Sequence, residues 1–265
     1  MKIEKEIIDK AFFLFKNNGK EFTYSGKFVE FYSNVHFIAV SEKKYVQIKQ
    51  FLNYVIEDIS SLETLIFRLN WQKELVSDGK LDDILWMEYA KCDIELFFIT
   101  IRSIFDYLGE IIKELSIKPG QIPNSFEKLM SWSVKSEFNR NNIGLDFVNL
   151  LSSCSFFLLV RDLRNATVHR GGFTIVFPQK EQIGFQVFEE WKNKVYHTEI
   201  MINENVADFE LYAAFIISYL FSFLEDFSVV ADKKMELKKI SNNPRSSHFG
   251  LPILLNWISK LQTKI

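Results

Sequence analysis

The stretch Asp83–Ser116, DILWMEYAKCDIELFFITIRSIFDYLGEIIKELS, decides the fold of this chain. Its apolar residues recur mostly three or four positions apart, which predicts one long amphipathic helix that Asp82 or Asp83 can cap. A helix of about 33 residues is ~50 Å long, and helices of this length are typical of bundles. The repeating positions are Leu85, Tyr89, Cys92, Leu96, Ile99, Ile104, Leu108 and Ile112.

The same spacing on both sides of this stretch predicts a mainly α-helical chain. Ser125 is expected to start a short helix, SFEKLMSW, and the polar segment EFNRNN after it is expected to be a connection. Residues 20–40 alternate irregularly and predict short strands or an ordered loop. The predicted helices span residues 3–16, 41–69, 82–116, 125–132, 145–169, 206–231 and 252–262.

Three β-prone segments follow Gly171 and Gly172, which are expected to stop the preceding helix. They are FTIVF (173–177), IGFQVF (183–188) and VYHTEIMI (195–202), and turn-like residues separate them. This pattern predicts a small antiparallel β-meander. Since no repeat or linker is evident, we expect one domain over 1–265: an up-and-down helical bundle with the meander inserted near 173–202.

Composition indicates a globular protein, with 48% hydrophobic residues, 25% charged residues and 27 Phe that predict a thick aromatic core. A net charge of −2 gives no argument for long-range capture of nucleic acid. Cys92 and Cys154 lie in apolar helical patterns and are expected to be buried. No CxxC or Cys/His cluster is present, so we expect no metal and no cofactor.

The longest apolar run, Leu211–Leu224, is shorter than the ~20 residues that span a bilayer, so it predicts a core helix. The N-terminal sequence lacks the apolar region of a signal peptide. These features, with the cysteine usage, predict a protein of the cytoplasm that has no contact with a membrane.

The segment LVRDLRNATVHRGG, Leu159–Gly172, is the strongest candidate for a functional site. On a helix, Arg161, Asn165 and His169 are four residues apart and share one stripe. Arginine can hold a phosphate, and a histidine with a pKa near ~6.5 can move a proton at neutral pH. A base that deprotonates the 2′-OH of RNA and an arginine that stabilises the phosphorane suffice for cleavage without a metal.

A structural role for this segment is the alternative. The cations at a helix C-terminus could simply pair with acids, for which Asp162 and Asp106 are candidates. Asp106 is an isolated acid in an apolar stretch, so it either pairs with Arg164 or Arg102 or faces solvent.

Arg164, Asn165 and His169, with four residues between the arginine and the histidine, resemble the signature of the HEPN superfamily (higher eukaryote and prokaryote nucleotide-binding domains). The stretch 95–115 also resembles the long helix that precedes this motif in the family, and the likeness covers roughly residues 85–230. One departure is Gly171, which stands where a toxin subgroup has a modified tyrosine. Control by that modification is therefore not expected.

The resemblance implies a homodimer in which two motifs face one cleft, and a metal-independent ribonuclease of a toxin–antitoxin or antiphage system. It implies that Arg164 stabilises the scissile phosphate, that His169 is a general acid or base, and that Asn165 orients groups. Arg161 and Arg170 are added from helix geometry as supporting cations. RNA is the implied substrate, with an antitoxin or activator as a possible protein partner. The alternatives are a non-catalytic dimeric module that binds nucleotide or protein, and a helical scaffold unrelated to RNA.

Overall fold

A computed structural model describes residues 27–37, 43–154, 156–170, 174–178, 181–187 and 200–235, together with Leu254 and Trp257. It confirms a mainly α-helical fold with a small antiparallel sheet. The predicted helix over 3–16 lies outside the described residues. Of the predicted helix over 252–262, only Leu254 and Trp257 are described, and both are helical and buried.

The described helices and strands follow each other along the chain with short connections. The helices are α1 (Lys27–Phe37), α2 (Lys43–Ser77), α3 (Asp83–Glu114), α4 (Phe126–Ser133), α5 (Glu137–Ile143), α6 (Leu145–Ser153), α7 (Phe156–Arg170) and α8 (Phe209–Met235). The strands are β1 (Thr174–Phe177), β2 (Gln182–Gln186), β3 (Met201–Asn203) and β4 (Val206–Asp208).

Helices α2 and α3 form a long antiparallel hairpin. Asp82 caps α3, as predicted: its carboxylate accepts hydrogen bonds from the backbone N–H groups of Ile84 and Leu85 at 3.0 and 2.9 Å. Gln72 and Arg68 of α2 both reach the buried Asp93 of α3. The hairpin is therefore joined by polar contacts as well as by apolar packing.

Helix α8 is the central core helix. Its residues 212–224 are all buried, which confirms the core-helix prediction for the run that ends at Leu224. Among the described residues, α8 alone is long and apolar enough to cross a membrane, and 78% of its most apolar window is buried inside the fold. The apolar residues of a core helix are buried against the rest of the protein, as those of α8 are.

An aromatic cluster joins α3, α4, α7 and α8. The ring of Phe105 lies 5.0 Å from that of Phe126, 5.1 Å from that of Phe157 and 5.3 Å from that of Phe223, measured between ring centres. Aromatic pairs at these separations prefer edge-to-face or tilted arrangements, as found here. The cluster fixes α7, the helix that carries the candidate motif, against the core.

The sheet is antiparallel, with the strand order β1-β2-β4-β3. Its order is not that of a simple meander, because β3 and β4 form a tight hairpin whose second strand pairs with β2. Phe185 of β2 pairs with Ala207 of β4 and packs on Tyr212, with ring centres 5.1 Å apart. The sheet thus covers one side of α8 and starts four residues after α7 ends.

Two segments that were not predicted as helices are helical. In α1, Phe28, Phe31 and Val35 form one buried face, and Glu225 of α8 caps the helix by accepting the backbone N–H groups of Lys27 and Phe28. The prediction of strands or a loop was wrong there because this cap comes from a distant part of the chain.

In α5, Ser136 accepts the backbone N–H of Asn139 and starts the helix. The amide of Asn139 also donates to the Trp132 carbonyl at 2.7 Å, so this buried side chain has its hydrogen bond satisfied while most of the polar segment stays exposed.

The predicted helix over 145–169 is two helices, α6 and α7, with a break at Cys154. The hydroxyls of Ser152 and Ser153 donate to the carbonyls of Val148 and Leu150, both at 2.8 Å, which competes with helical pairing near the end of α6. Cys154 is buried at this break, as predicted. Cys92 is exposed, which corrects the prediction that it is buried.

Candidate functional site

Helix α7 positions the candidate site, because it buries one face and leaves the other accessible. Val160, Leu163 and Ala166 are buried against the core. The polar residues of the helix lie on the remaining surface and are each partly buried: Arg161, Asp162, Arg164 and Asn165.

The first two residues of the RNATVH segment are in direct contact. Arg164 Nη1 donates a hydrogen bond of 3.2 Å to Asn165 Oδ1. An amide oxygen leaves the guanidinium its full positive charge, because it accepts a hydrogen bond without carrying charge itself. This contact is consistent with the orienting role that the resemblance assigns to Asn165.

His169 and Arg170 lie in the last turn of α7, which ends at Arg170. His169 follows Asn165 by four residues on the same continuous helix. The helical prediction for this position is therefore confirmed at the level of the backbone. The side chains of both residues lie outside the described part of the chain.

Arg161 is held between two carboxylates. Its Nη1 lies 2.6 Å from Glu127 Oε1 of α4, and its Nη2 lies 2.5 Å from Asp162 Oδ1. Burial lowers the pKa of the Arg161 guanidinium, but both carboxylates raise it more, so the net shift is upward. Arg161 therefore joins α7 to α4. The contacts observed for this residue are structural, and the role of a supporting cation would come in addition to them.

Asp106 stabilises the start of α4. Its Oδ1 accepts the backbone N–H of Phe126 at 3.1 Å, and its Oδ2 lies 3.6 Å from Arg102 Nε. Two arginines, Arg164 and Arg102, were expected as partners of Asp106, and Arg102 is the one that lies within ion-pair distance of it. An acid at the first turn of a helix also interacts favourably with the helix dipole.

Glu127 is the residue near the motif that sequence reasoning missed. It lies 34 positions before Arg161, and its contact depends on how α4 packs beside α7. The only sequence signal is its place in the first turn of a helix capped by Ser125, where acids are common. That signal does not indicate a partner on another helix.

The remaining histidines add nothing to this site in the described part of the chain. His36 lies on α1 and stacks on Tyr32, with ring centres 5.8 Å apart. His197 and His248 lie outside the described residues. Within the described ranges, no group of three His, Cys, Asp or Glu side chains could hold a metal ion.

Comparison of the chain with protein-family models, with curated proteins and with solved structures finds no match. The likeness to the HEPN superfamily therefore rests on the RNATVH segment and on the long helix before it.

Proposed function

We propose that the protein is a metal-independent endoribonuclease of the HEPN type, acting in the cytoplasm as a toxin or antiphage effector. The observation that carries the proposal is the contact between Arg164 and Asn165 in the helix that also contains His169. In this proposal Arg164 binds the phosphate and Asn165 orients Arg164, and both residues lie about one turn before His169.

In this proposal the 2′-oxygen of RNA attacks the adjacent phosphorus, and the bond from phosphorus to the 5′-oxygen breaks. His169 is a general acid or base: it accepts the 2′-OH proton or delivers a proton to the leaving 5′-oxygen. Arg164 stabilises the negative charge that develops on the phosphorane oxygens. The products end in a 2′,3′-cyclic phosphate and a 5′-OH.

The helix end supports the proposed site electrostatically. Backbone carbonyls at the C-terminus of α7 favour a protonated imidazole, which is the form that can donate a proton. Arg170 adds a cation at the same end by its sequence position. A second copy of the chain would supply the facing motif in the shared cleft that the resemblance implies.

A non-catalytic binding module is the second candidate, and the environment of Arg161 favours it. Glu127 and Asp162 neutralise this arginine and place two carboxylates beside the motif. Carboxylates so close to a site repel a polyanion such as RNA, so a small nucleotide or a protein partner is easier to accommodate.

The deciding experiment is cleavage of a mixed RNA pool in EDTA by wild type, Arg164→Ala and His169→Ala, with analysis of the product ends. The matched controls are Arg140→Ala and His36→Ala, which change the same residue types on other helices. Cleavage that leaves 2′,3′-cyclic phosphate ends and is lost in both motif variants, but kept in both controls, supports the ribonuclease.

A folded wild type that does not cleave would count against this reaction. Nucleotide binding lost in Arg164→Ala would then favour the binding module. A variant that has lost its helical circular dichroism is replaced by Arg164→Lys or His169→Gln, so that misfolding is not mistaken for loss of a catalytic group.

A further inference from the structure

Helix α5 carries an exposed aromatic ring beside a cation that the fold holds in place. Phe138 is 48% exposed, and the Lys118 ammonium lies 5.3 Å from the centre of its ring. Asn142, one turn further along α5, is buried. Its side chain accepts the backbone N–H of Lys118 at 2.7 Å and donates to the Lys118 carbonyl at 3.3 Å, so a buried amide fixes this lysine next to the ring.

A second cation lies at the other end of α5. The Lys234 ammonium is 3.5 Å from the point where a Cβ atom of Gly144 would lie. The helix rises by about 9 Å between Phe138 and Gly144. Leu145, the next residue, is 62% exposed. We name Lys118, Phe138, Leu145 and Lys234 together the α5 surface.

The α5 surface is positively charged, although the whole chain has a net charge of −2. Lys118 and Lys234 form no ion pair with a carboxylate in the described ranges of the chain. Glu137 and Arg140 lie about 100° and 160° round α5 from Phe138, so they face other directions and are not part of this surface. Two ammonium groups without a carboxylate partner can attract an anion locally.

We infer that the α5 surface binds single-stranded RNA, with a base stacked on Phe138 and phosphates held by Lys118 and Lys234. Aromatic rings between basic side chains are the means by which proteins bind single strands with little sequence preference. A stacked strand rises by about 3.4 Å per nucleotide, so the length of α5 spans two or three nucleotides.

This inference rests on the proposed function, because it takes the RNA substrate as the ligand. It adds a contact that the motif helix does not offer. On α7, Glu127 and Asp162 neutralise Arg161, so the helix gives a polyanion little long-range attraction. The α5 surface supplies affinity for RNA at a place where no such carboxylates lie beside the cations.

Helix α4 sets the distance between the motif helix and the α5 surface. In its first turn Glu127 holds Arg161 of α7, and at its end the Trp132 carbonyl accepts the amide of Asn139, which follows Phe138. Eight residues of helix are about 12 Å long, which three or four stacked nucleotides cover. A substrate shorter than about four nucleotides therefore reaches only one of the two places.

The test is fluorescence anisotropy of a labelled single strand of about 12 nucleotides with the full chain carrying His169→Ala, which keeps the RNA intact. We expect Phe138→Leu to raise the dissociation constant about 5- to 150-fold, the range that base–aromatic stacking contributes, and Phe138→Trp to leave it low. Phe67 on α2 is 55% exposed, so Phe67→Leu is the matched control. It should change the dissociation constant by less than about twofold.

Salt dependence tests the two lysines. Lys118→Ala and Lys234→Ala should each lower the slope of log Kd against log salt concentration by about 0.7, as for one phosphate contact with a single strand. Lys80→Ala, which changes an exposed lysine between α2 and α3, should leave the slope unchanged. The same strand in a duplex should not respond to Phe138→Leu, because its bases are paired and cannot reach the ring.

Cleavage separates this inference from the proposed function. If the wild type cleaves RNA, Phe138→Leu should raise KM and leave kcat unchanged, because the α5 surface binds substrate and transition state alike. If the wild type does not cleave, the ribonuclease proposal fails, and anisotropy still decides whether the surface binds RNA.

Two results would overturn the inference. One is an affinity for single-stranded RNA that Phe138→Leu, Lys118→Ala and Lys234→Ala all leave unchanged in proteins that keep their helical circular dichroism. The other is binding of poly-glutamate that Phe138→Leu weakens as strongly as it weakens RNA binding. Poly-glutamate carries negative charge without bases, so that result would assign the surface to an acidic protein.

Discussion

Gln72 Nε2 donates a hydrogen bond of 2.5 Å to Asp93 Oδ2 across the α2–α3 interface, where both side chains are buried. Arg68 completes the group, with its Nη2 2.8 Å from Asp93 Oδ1. Burial raises the pKa of Asp93, and the contacts with Gln72 and Arg68 offset part of that rise. The carboxylate therefore fixes the register of the α2–α3 hairpin.

Asp93→Ala is expected to lower the free energy of unfolding by about 2–3 kcal/mol, because it leaves the buried amide of Gln72 without its acceptor and opens a small cavity. Urea denaturation measures the loss. Asp78→Ala is the control, since the exposed Asp78–Lys80 pair should contribute less than about 1 kcal/mol. Equal losses in the two variants would contradict a stabilising role for the buried group.

Asp58 makes the stability depend on pH. Burial raises its pKa to about 6, although a hydrogen bond from Ser103 lowers it. The folded state therefore holds this proton more tightly than the unfolded state. The protonated Asp58 adds to the free energy of unfolding below about pH 4, and this contribution is lost as the pH rises through about 6. A shift of about two pKa units corresponds to about 3 kcal/mol in the free energy of unfolding, and the partial exposure of Asp58 reduces this contribution to about 1–2 kcal/mol.

Asp58→Asn mimics the protonated carboxyl at every pH. We expect the variant to be as stable as wild type near pH 4 and more stable by about 1–2 kcal/mol above pH 7. Urea denaturation across pH 4–8 measures the free energy of unfolding of both proteins. The titration of all other groups cancels in the difference between the two values. A difference that does not change with pH would show that Asp58 titrates alike in both states.

The helical architecture was predictable because periodicity and caps are local signals. Asp82 and Ser125 cap α3 and α4 as the sequence indicates, and the apolar run of α8 is buried. Helix α1 was not predictable because its cap, Glu225, lies 198 positions after Lys27. Interactions between distant segments leave no trace in a local pattern.

The candidate site was predictable as a position on a helix but not as a set of contacts. The spacing of Arg161 and Asn165 places both on the accessible side of α7, as the structure has it. The partners of Arg161 and Asp106 that are distant in sequence, which are Glu127 and the backbone of Phe126, follow from the packing of α4. Sequence reasoning identified which residues carry charge, but not which charges tertiary packing neutralises.

Gly184 is required where β2 passes β4. A Cβ atom at this position would lie 2.5 Å from Val206 Cγ1 and 3.2 Å from a ring atom of Phe177. Gly184→Ala is therefore expected to destabilise the protein by about 2 kcal/mol through overpacking. For a chain of this size the melting temperature should fall by about 4–8 °C.

Gly120→Ala is the control for this substitution, because a Cβ atom there has nothing within 4 Å. Its melting temperature should stay within about 2 °C of wild type. A fall of the same size in both variants would mean that loss of glycine, and not crowding against Val206, is responsible.

The ion pair between Arg161 and Glu127 should contribute modestly to stability. Their side chains are 23% and 44% exposed, so solvent screens the attraction. In a double-mutant cycle of Arg161→Ala and Glu127→Ala, we expect a coupling energy of about 0.5–1 kcal/mol in urea denaturation. A coupling energy near zero would mean that the two side chains lie close together without stabilising the fold.

The same pair separates the two proposed functions. Glu127→Gln removes one negative charge beside the motif and keeps the shape of the side chain, so a site for RNA should bind an oligonucleotide a few-fold more tightly, with the gain shrinking at high salt. Fluorescence anisotropy with a labelled RNA measures this, and Glu137→Gln on α5 is the matched control. If Glu127→Gln and Glu137→Gln change the affinity equally, the carboxylate beside Arg161 does not face bound RNA. A polyanion would then have to approach α7 from the side of Arg164 and His169 alone, and the case for a small nucleotide or a protein as the ligand would become the stronger one.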